Sequence, residues 1–249
     1  MGNALLPAVV GHRGAAAAAP ENTLESLRLA AEQGAAMVEF DVKLTADGAL
    51  ILMHDEELDR TTTGHGAVAA TVLADIRGLD AGGWFADAWR GARVPTLDET
   101  VGLLEKCGLN ANIEIKPCPG REVETAAAVV ACLRQSWPKG RPWPLLSSFA
   151  RDSLAVARDA APEIPRGLLL WGKPADWSAA ARSLDCASVH CAAEDMTPEW
   201  AAEIGRLGYG LAVYTVNDVA LAARLRRWGV DSIITDDPAA LLGAAAARD

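Results

Sequence analysis

The chain has 249 residues, with 23 lysines and arginines against 33 aspartates and glutamates, a formal charge of −10. Apolar residues make up 51% and charged residues 22%, the composition of a globular chain with material for a large core. The acidic balance excludes the usual basic nucleic-acid binder, scattered Gly and Pro exclude a fibrous or disordered chain, and no apolar run reaches the ~18–20 residues that cross a bilayer.

Residues 7–11 read as a first strand, not a signal peptide, because no Lys or Arg precedes the apolar stretch. A helix over 23–33 follows, with Leu24, Leu27 and Ala31 at helical spacing and Gly34 as its stop. Asn22 or Thr23 can cap its start, and Glu25, three residues after Asn22, approximates a capping box. Strands over 37–44 and 50–54 flank Thr45-Ala46-Asp47-Gly48, a hairpin signal. Beyond residue 97 the chain alternates without a break. Helices are predicted over 97–107, 121–134, 151–159, 177–184, 198–207, 219–228 and 238–247. Strands are predicted over 112–116, 145–149, 167–171, 187–191, 211–216 and 232–235.

Counting the strands that precede helices gives eight units, the arithmetic of an α/β fold of the TIM (β/α)8 barrel type in about 250 residues. The rival, a doubly wound open sheet, normally carries a Gly-rich phosphate loop, and no G-x-G-x-x-G occurs. The expectation is therefore a single domain over 1–249, with an insertion at about 56–95 after the second strand, too long for a plain loop. Trp84, Phe85 and Trp89 within it suit either a small core of its own or a lid over substrate. Five cysteines, at 107, 118, 132, 186 and 191, form no C-x-x-C pair, read as reduced thiols and favour a cytoplasmic location.

Charge interrupts the apolar runs mainly at their C-terminal ends, the face on which barrels build active sites. His12 and His54 stand there. Glu39-Phe40-Asp41 sends two carboxylates to one face and Phe40 to the helix layer, and Glu114-Ile115-Lys116 repeats the pattern. Each like-charged pair about 4 Å apart costs on the order of 4 kcal/mol at an effective dielectric of about 20, so Glu39, Asp41 and Glu114 together call for a cation. Hard oxygen donors select one divalent ion, Mg²⁺ or Ca²⁺, over Zn²⁺. Arg13 and Lys116 add positive charge suited to a phosphate. Ser148, Phe149, His190 and Tyr214 close or end later strands and are expected to line the substrate cleft. His65 lies in a Gly/Thr-rich turn and reads as a loop residue, and Cys118 has no local histidine to make it a nucleophile.

The ordered set His12-Arg13-Gly14, Pro20-Glu21-Asn22-Thr23, Glu39-Phe40-Asp41-Val42, His54-Asp55 and Asn112-Ile113-Glu114-Ile115-Lys116 resembles the glycerophosphodiester phosphodiesterase family. The segments Leu145-Leu146-Ser147-Ser148-Phe149 and Val213-Tyr214-Thr215-Val216-Asn217 resemble its bacterial cytosolic branch associated with glycerol-3-phosphate uptake. That resemblance implies a TIM barrel that hydrolyses glycerophosphodiesters to an alcohol and sn-glycerol 3-phosphate. It implies His12 and His54 as the acid/base pair, Glu39, Asp41 and Glu114 as metal ligands, and Arg13 and Lys116 on the phosphate. The partner expected is a small-molecule diester, with no nucleic acid and no membrane span; a homo-oligomer stays open. Two alternatives stand beside this one: a lysophospholipase D-like barrel acting on lysolipids, and a barrel that binds phosphodiesters without turnover.

Overall fold

In the computed structural model, residues 5–246 are described; the first four residues of the N-terminal stretch and Ala247, predicted to end the last helix, lie outside them. The order is β1 (Val9–His12), α1 (Leu24–Glu32), β2 (Met37–Leu44), β3 (Leu50–Leu52), α2 (Leu73–Ile76), α3 (Leu97–Cys107), β4 (Asn110–Ile115) and α4 (Glu122–Ser136). It continues with β5 (Leu145–Ser148), α5 (Arg151–Ala160), β6 (Arg166–Leu170), α6 (Trp177–Ser183), β7 (Ser188–Ala192), α7 (Pro198–Arg206), β8 (Gly210–Tyr214), α8 (Val219–Arg227), β9 (Ser232–Thr235) and α9 (Pro238–Ala246).

Hydrogen bonding runs β1-β9-β8-β7-β6-β5-β4-β2, and β1 also pairs with β2, which closes eight parallel strands into a barrel. β3 lies antiparallel on β2, with Val42 opposite Leu52, as the Asp-Gly turn predicts. Outward side chains of the strands (Val38, Phe40, Ile113) pack with Leu27, Leu104 and Leu133 of the helices. On the opposite side Leu168, Val189 and Val213 pack with Trp177, Trp200 and Leu225. Each such apolar side chain removed from water contributes roughly 1.5–3 kcal/mol, so these two layers carry most of the fold. Val10, Met37, Leu145, Ala212 and Ile234, one from each of five strands, pack together as an apolar plug in the interior.

The insertion runs between β3 and α3. Its core is aliphatic, built from Met53, Leu58, Val68, Ile76 and Val94. Both expectations for the aromatic cluster need correcting: Trp84 is 41% exposed and meets Phe85 edge-on at 5.7 Å, and neither they nor Trp89 join that core or the central cavity. Wider-spaced aliphatic residues already fill the space, and the Trp84 indole N–H is tied to the Ala81 carbonyl at 2.9 Å. The capping expectation is also refined. Thr23 caps α1 by accepting from Ser26 N–H, while Asn22 sits at φ 56° and turns inward. The full capping box belongs to α3, between Thr96 and Glu99.

Arg166 opens β6 yet is only 2% exposed. Its guanidinium donates to the carbonyls of Leu184 (3.0 Å), Ile164 (2.7 Å) and Asp185 (2.9 Å) and to the Asp185 carboxylate (2.8 Å). It thereby satisfies loop carbonyls that no strand partners. Arg166→Met keeps much of the volume but strands those acceptors, and about 3 kcal/mol of stability should be lost. Urea denaturation should show a lower midpoint with an unchanged slope; an unchanged midpoint would refute the assignment.

Candidate active site

His12 is the last residue of β1. Its Nδ1 lies 2.6 Å from Asp236 Oδ1, just beyond β9, and Asp236 is held in turn by Asn217 Nδ2 at 2.7 Å. His54, two residues past β3, places Nδ1 2.7 Å from Asp55 Oδ1. In both rings a carboxylate takes the Nδ1–H, which leaves Nε2 as the nitrogen for chemistry. Burial, together with Arg13 and Lys116 nearby, holds the His54 imidazole below its ordinary pKa despite Asp41.

After His12 the chain turns tightly. Gly14 has φ 93°, and a Cβ there would fall 2.6 Å from the Ser26 backbone, so only glycine fits. Ser26 Oγ donates to the Arg13 carbonyl and accepts from Ala15 N–H, both at 2.9 Å. Arg13 is thus held at φ 50°, with its N–H on Glu39 Oε2 (3.1 Å), Nη1 on Glu21 (2.7 Å) and Nε 3.4 Å from Asp41.

Alternation along β2 and β4 brings Glu39, Asp41 and Glu114 together inside the barrel, each offering an oxygen within 4.8 Å of the others. Asp41 faces Glu114 directly in the β2–β4 register. Asn22 fixes Asp41, donating to its carboxylate at 2.8 Å and accepting its N–H at 3.1 Å. Lys116 Nζ lies 2.9 Å from Glu114 and 3.2 Å from Asp41. Burial raises the Asp41 carboxyl, but Lys116 and Arg13 outweigh it and hold it well below the usual carboxylate range. Burial and the charge of Asp41 push Glu39 well up, and the same causes push Glu114 to about 7. Three buried carboxylates that cannot all ionise comfortably, all hard oxygen donors, fit a divalent cation.

Most of these groups, though not Asp41, line one cavity of about 340 Å³. His12, His54, Glu39, Glu114 and Lys116 form its polar wall. Across it stand Phe149, Tyr214 and Trp171; Phe149 meets Tyr214 edge-on at 6.1 Å, and Lys116 lies 5.9 Å above the Phe149 ring. Trp171 is 71% exposed at the mouth. Phe149 and Tyr214 thus lie where the sequence placed them. Two other expectations need correction. Ser148 turns away from the cavity and donates to the Ile115 carbonyl at 2.6 Å, while Ser147 lines the cavity. His190 points into the barrel but sits in the middle of β7, fully buried, with Nε2 2.9 Å from Ser188 Oγ. It lies outside the cavity wall, and burial pushes its pKa down to about 4. His65 is a loop residue, paired with Asp59.

The sequence assigns no role to Asp236 or Arg60, and Glu21 enters it only within the segment Pro20-Glu21-Asn22-Thr23. Asp236 follows the last strand, at the same barrel rim as the other site residues, a position it shares with the adjacent Asp237.

A model of the glycerophosphoryl diester phosphodiesterase family matches residues 12–240. A glycerophosphodiester phosphodiesterase of Caldanaerobacter subterraneus subsp. tengcongensis is 36% identical over 94% of this chain and 96% of its own. One from Bacillus subtilis is 36% identical over 95% of this chain and 87% of its own. Among solved structures, an Oleispira antarctica phosphodiesterase in complex with the product sn-glycerol-3-phosphate superposes with a TM-score of 0.94, at 39% identity over 97% of each chain.

Proposed function

Since the chain belongs to the glycerophosphoryl diester phosphodiesterase family, we propose that it hydrolyses soluble glycerophosphodiesters, such as glycerophosphocholine and glycerophosphoethanolamine. The products are an alcohol and sn-glycerol 3-phosphate. The observation that carries this reading is the pair of imidazoles, each with Nδ1 pinned by a carboxylate, on one wall of a single cavity that also holds two cationic side chains.

In this scheme Arg13 and Lys116 balance the charge that builds on the phosphoryl oxygens. One imidazole Nε2 takes a proton from the attacking oxygen, and the other returns one to the departing alkoxide. Asp236 and Asp55 hold the two rings in the tautomer this needs. Glu39, Asp41 and Glu114 would hold the cation, Mg²⁺ or Ca²⁺, which when bound supplies Lewis acidity toward a phosphoryl oxygen. Phe149, Tyr214 and Trp171 form the apolar wall for the organic part of the diester, and Ser147 replaces Ser148 as a polar contact there.

Among the described residues no helix is long and apolar enough to cross a membrane. All five cysteines are free thiols, which supports our assignment to the cytoplasm.

Release of the head-group alcohol, read alongside an assay coupled to sn-glycerol 3-phosphate for the two soluble diesters, tests the proposal with glycerophosphocholine, glycerophosphoethanolamine and lysophosphatidylcholine. The soluble diesters should turn over with kcat/KM at least ~10-fold above the lysolipid, whose acyl chain outgrows the cavity. Faster release of choline from lysophosphatidylcholine would favour a lysophospholipase D, with the exposed Trp171 as its lipid contact. Release from no substrate would leave a phosphodiester-binding barrel.

A further inference from the structure

Arg60 belongs to the insertion, not to the barrel, yet its guanidinium reaches both sides of the site. Nε and Nη2 hold the two oxygens of Asp55 at 2.6 and 3.0 Å. Nη1 and Nη2 hold the two oxygens of Glu21 at 2.8 Å each. Asp55 is the partner of His54 Nδ1, and Glu21 Oε1 also takes the Arg13 Nη1–H. A chain of hydrogen bonds therefore runs from His54 through Asp55, Arg60 and Glu21 to Arg13.

We propose that Arg60 is a positioning residue for His54: its fork locks the Asp55 carboxylate that orients the imidazole, with Glu21 as its anchor on the barrel. The inference rests on His54 acting at the phosphodiester, as proposed above. Two observations carry it beyond an ordinary surface ion pair. First, Asp55 is the chain neighbour of His54, on a loop, and its side chain is 29% exposed. A carboxylate so placed needs an outside clamp to stay in one rotamer. Second, the Arg60 side chain is 44% exposed, where ion pairs contribute about 0–1 kcal/mol to stability. The fourfold contact therefore yields little folding energy and a great deal of geometry. The next residues keep Arg60 in place: Thr61 and Thr62 are buried, and Thr62 Oγ1 donates to the Leu58 carbonyl at 2.7 Å. Lysine could supply the charge but not two planar bidentate contacts at once.

The test compares Arg60→Ala and Arg60→Lys in the wild-type and His54→Ala backgrounds, with kcat and KM for glycerophosphocholine. In the wild-type background Arg60→Ala should lower kcat ~10-fold or more and change KM by under ~3-fold, in line with losses seen when a partner behind a functional side chain is removed. Arg60→Lys should recover only part of this, and added guanidinium should partly rescue Arg60→Ala. In the His54→Ala background the same substitution should cost under ~2-fold, because a residue acting through His54 has nothing left to position. Equal losses in both backgrounds, or no loss in the first, would overturn the proposal. Full kcat in His54→Ala alone would instead sink the role assigned to His54, a separate failure. Should Arg60→Ala not fold, Arg60→Gln serves the same comparison.

Discussion

Alanine at His12 or at His54 should each lower kcat by about 10²–10⁴-fold, the span expected when a positioned acid or base is removed. Folding should survive, because each ring is partly exposed (17% and 31%) and sits at the barrel rim, not in either apolar layer. The Nδ1 partners sharpen the expectation. Asp236→Asn presents an amide that can satisfy His12 with the wrong tautomer, so it should lose activity with little change in melting temperature. Initial rates from the glycerol 3-phosphate assay, with circular dichroism melts as control, give the answer. Near-wild-type turnover in either alanine variant would remove that imidazole from the scheme.

Chelation should abolish turnover, and Mg²⁺ or Ca²⁺ should restore it. The argument is electrostatic. Without a cation, Glu39 and Glu114 retain protons that isolated carboxyls would have lost, Glu114 titrating at about 7 against an ordinary 4.5. A carboxyl whose folded pKa is raised binds its proton more tightly folded than unfolded. Its contribution to stability is present below the ordinary value and is lost as pH climbs toward 7. A cation reverses this by displacing the proton, so its affinity, and the rise in melting temperature it causes, should both grow from pH 5 to pH 7.5. Titration calorimetry in buffers of different ionisation enthalpy would register the released proton. Glu114→Gln should weaken cation binding ~10-fold or more. Activity that persists in chelator, or cation affinity indifferent to pH, would dismiss the triad as a metal site.

Much of this architecture was legible because parallel strands are buried on both faces and read as unbroken apolar runs. Against that background Glu39, Asp41 and Glu114 stood out, since charge inside such runs needs a reason. Four features were not legible. The pair Ser147-Ser148 gives no phase for alternation, and only the register with Glu114 turns Ser147 inward. His190 has the right direction but the wrong height: β7 continues to Ala192, so a residue that looked terminal is internal. Asp236-Asp237 offers two adjacent carboxylates, and nothing local says which one meets an imidazole. Arg60 was hidden for a related reason, since an exposed arginine in a polar stretch looks like solvated surface until two remote carboxylates converge on it.

The His12–Asp236 contact spans 224 positions of the chain. A polypeptide emerging from the ribosome would have its three clustered carboxylates and His54 in hand before half its length was made, yet could not orient His12 until nearly all of it had appeared. In the scheme proposed above, a copy clipped before Asp236 would lose the carboxylate that orients His12 and should turn over no substrate.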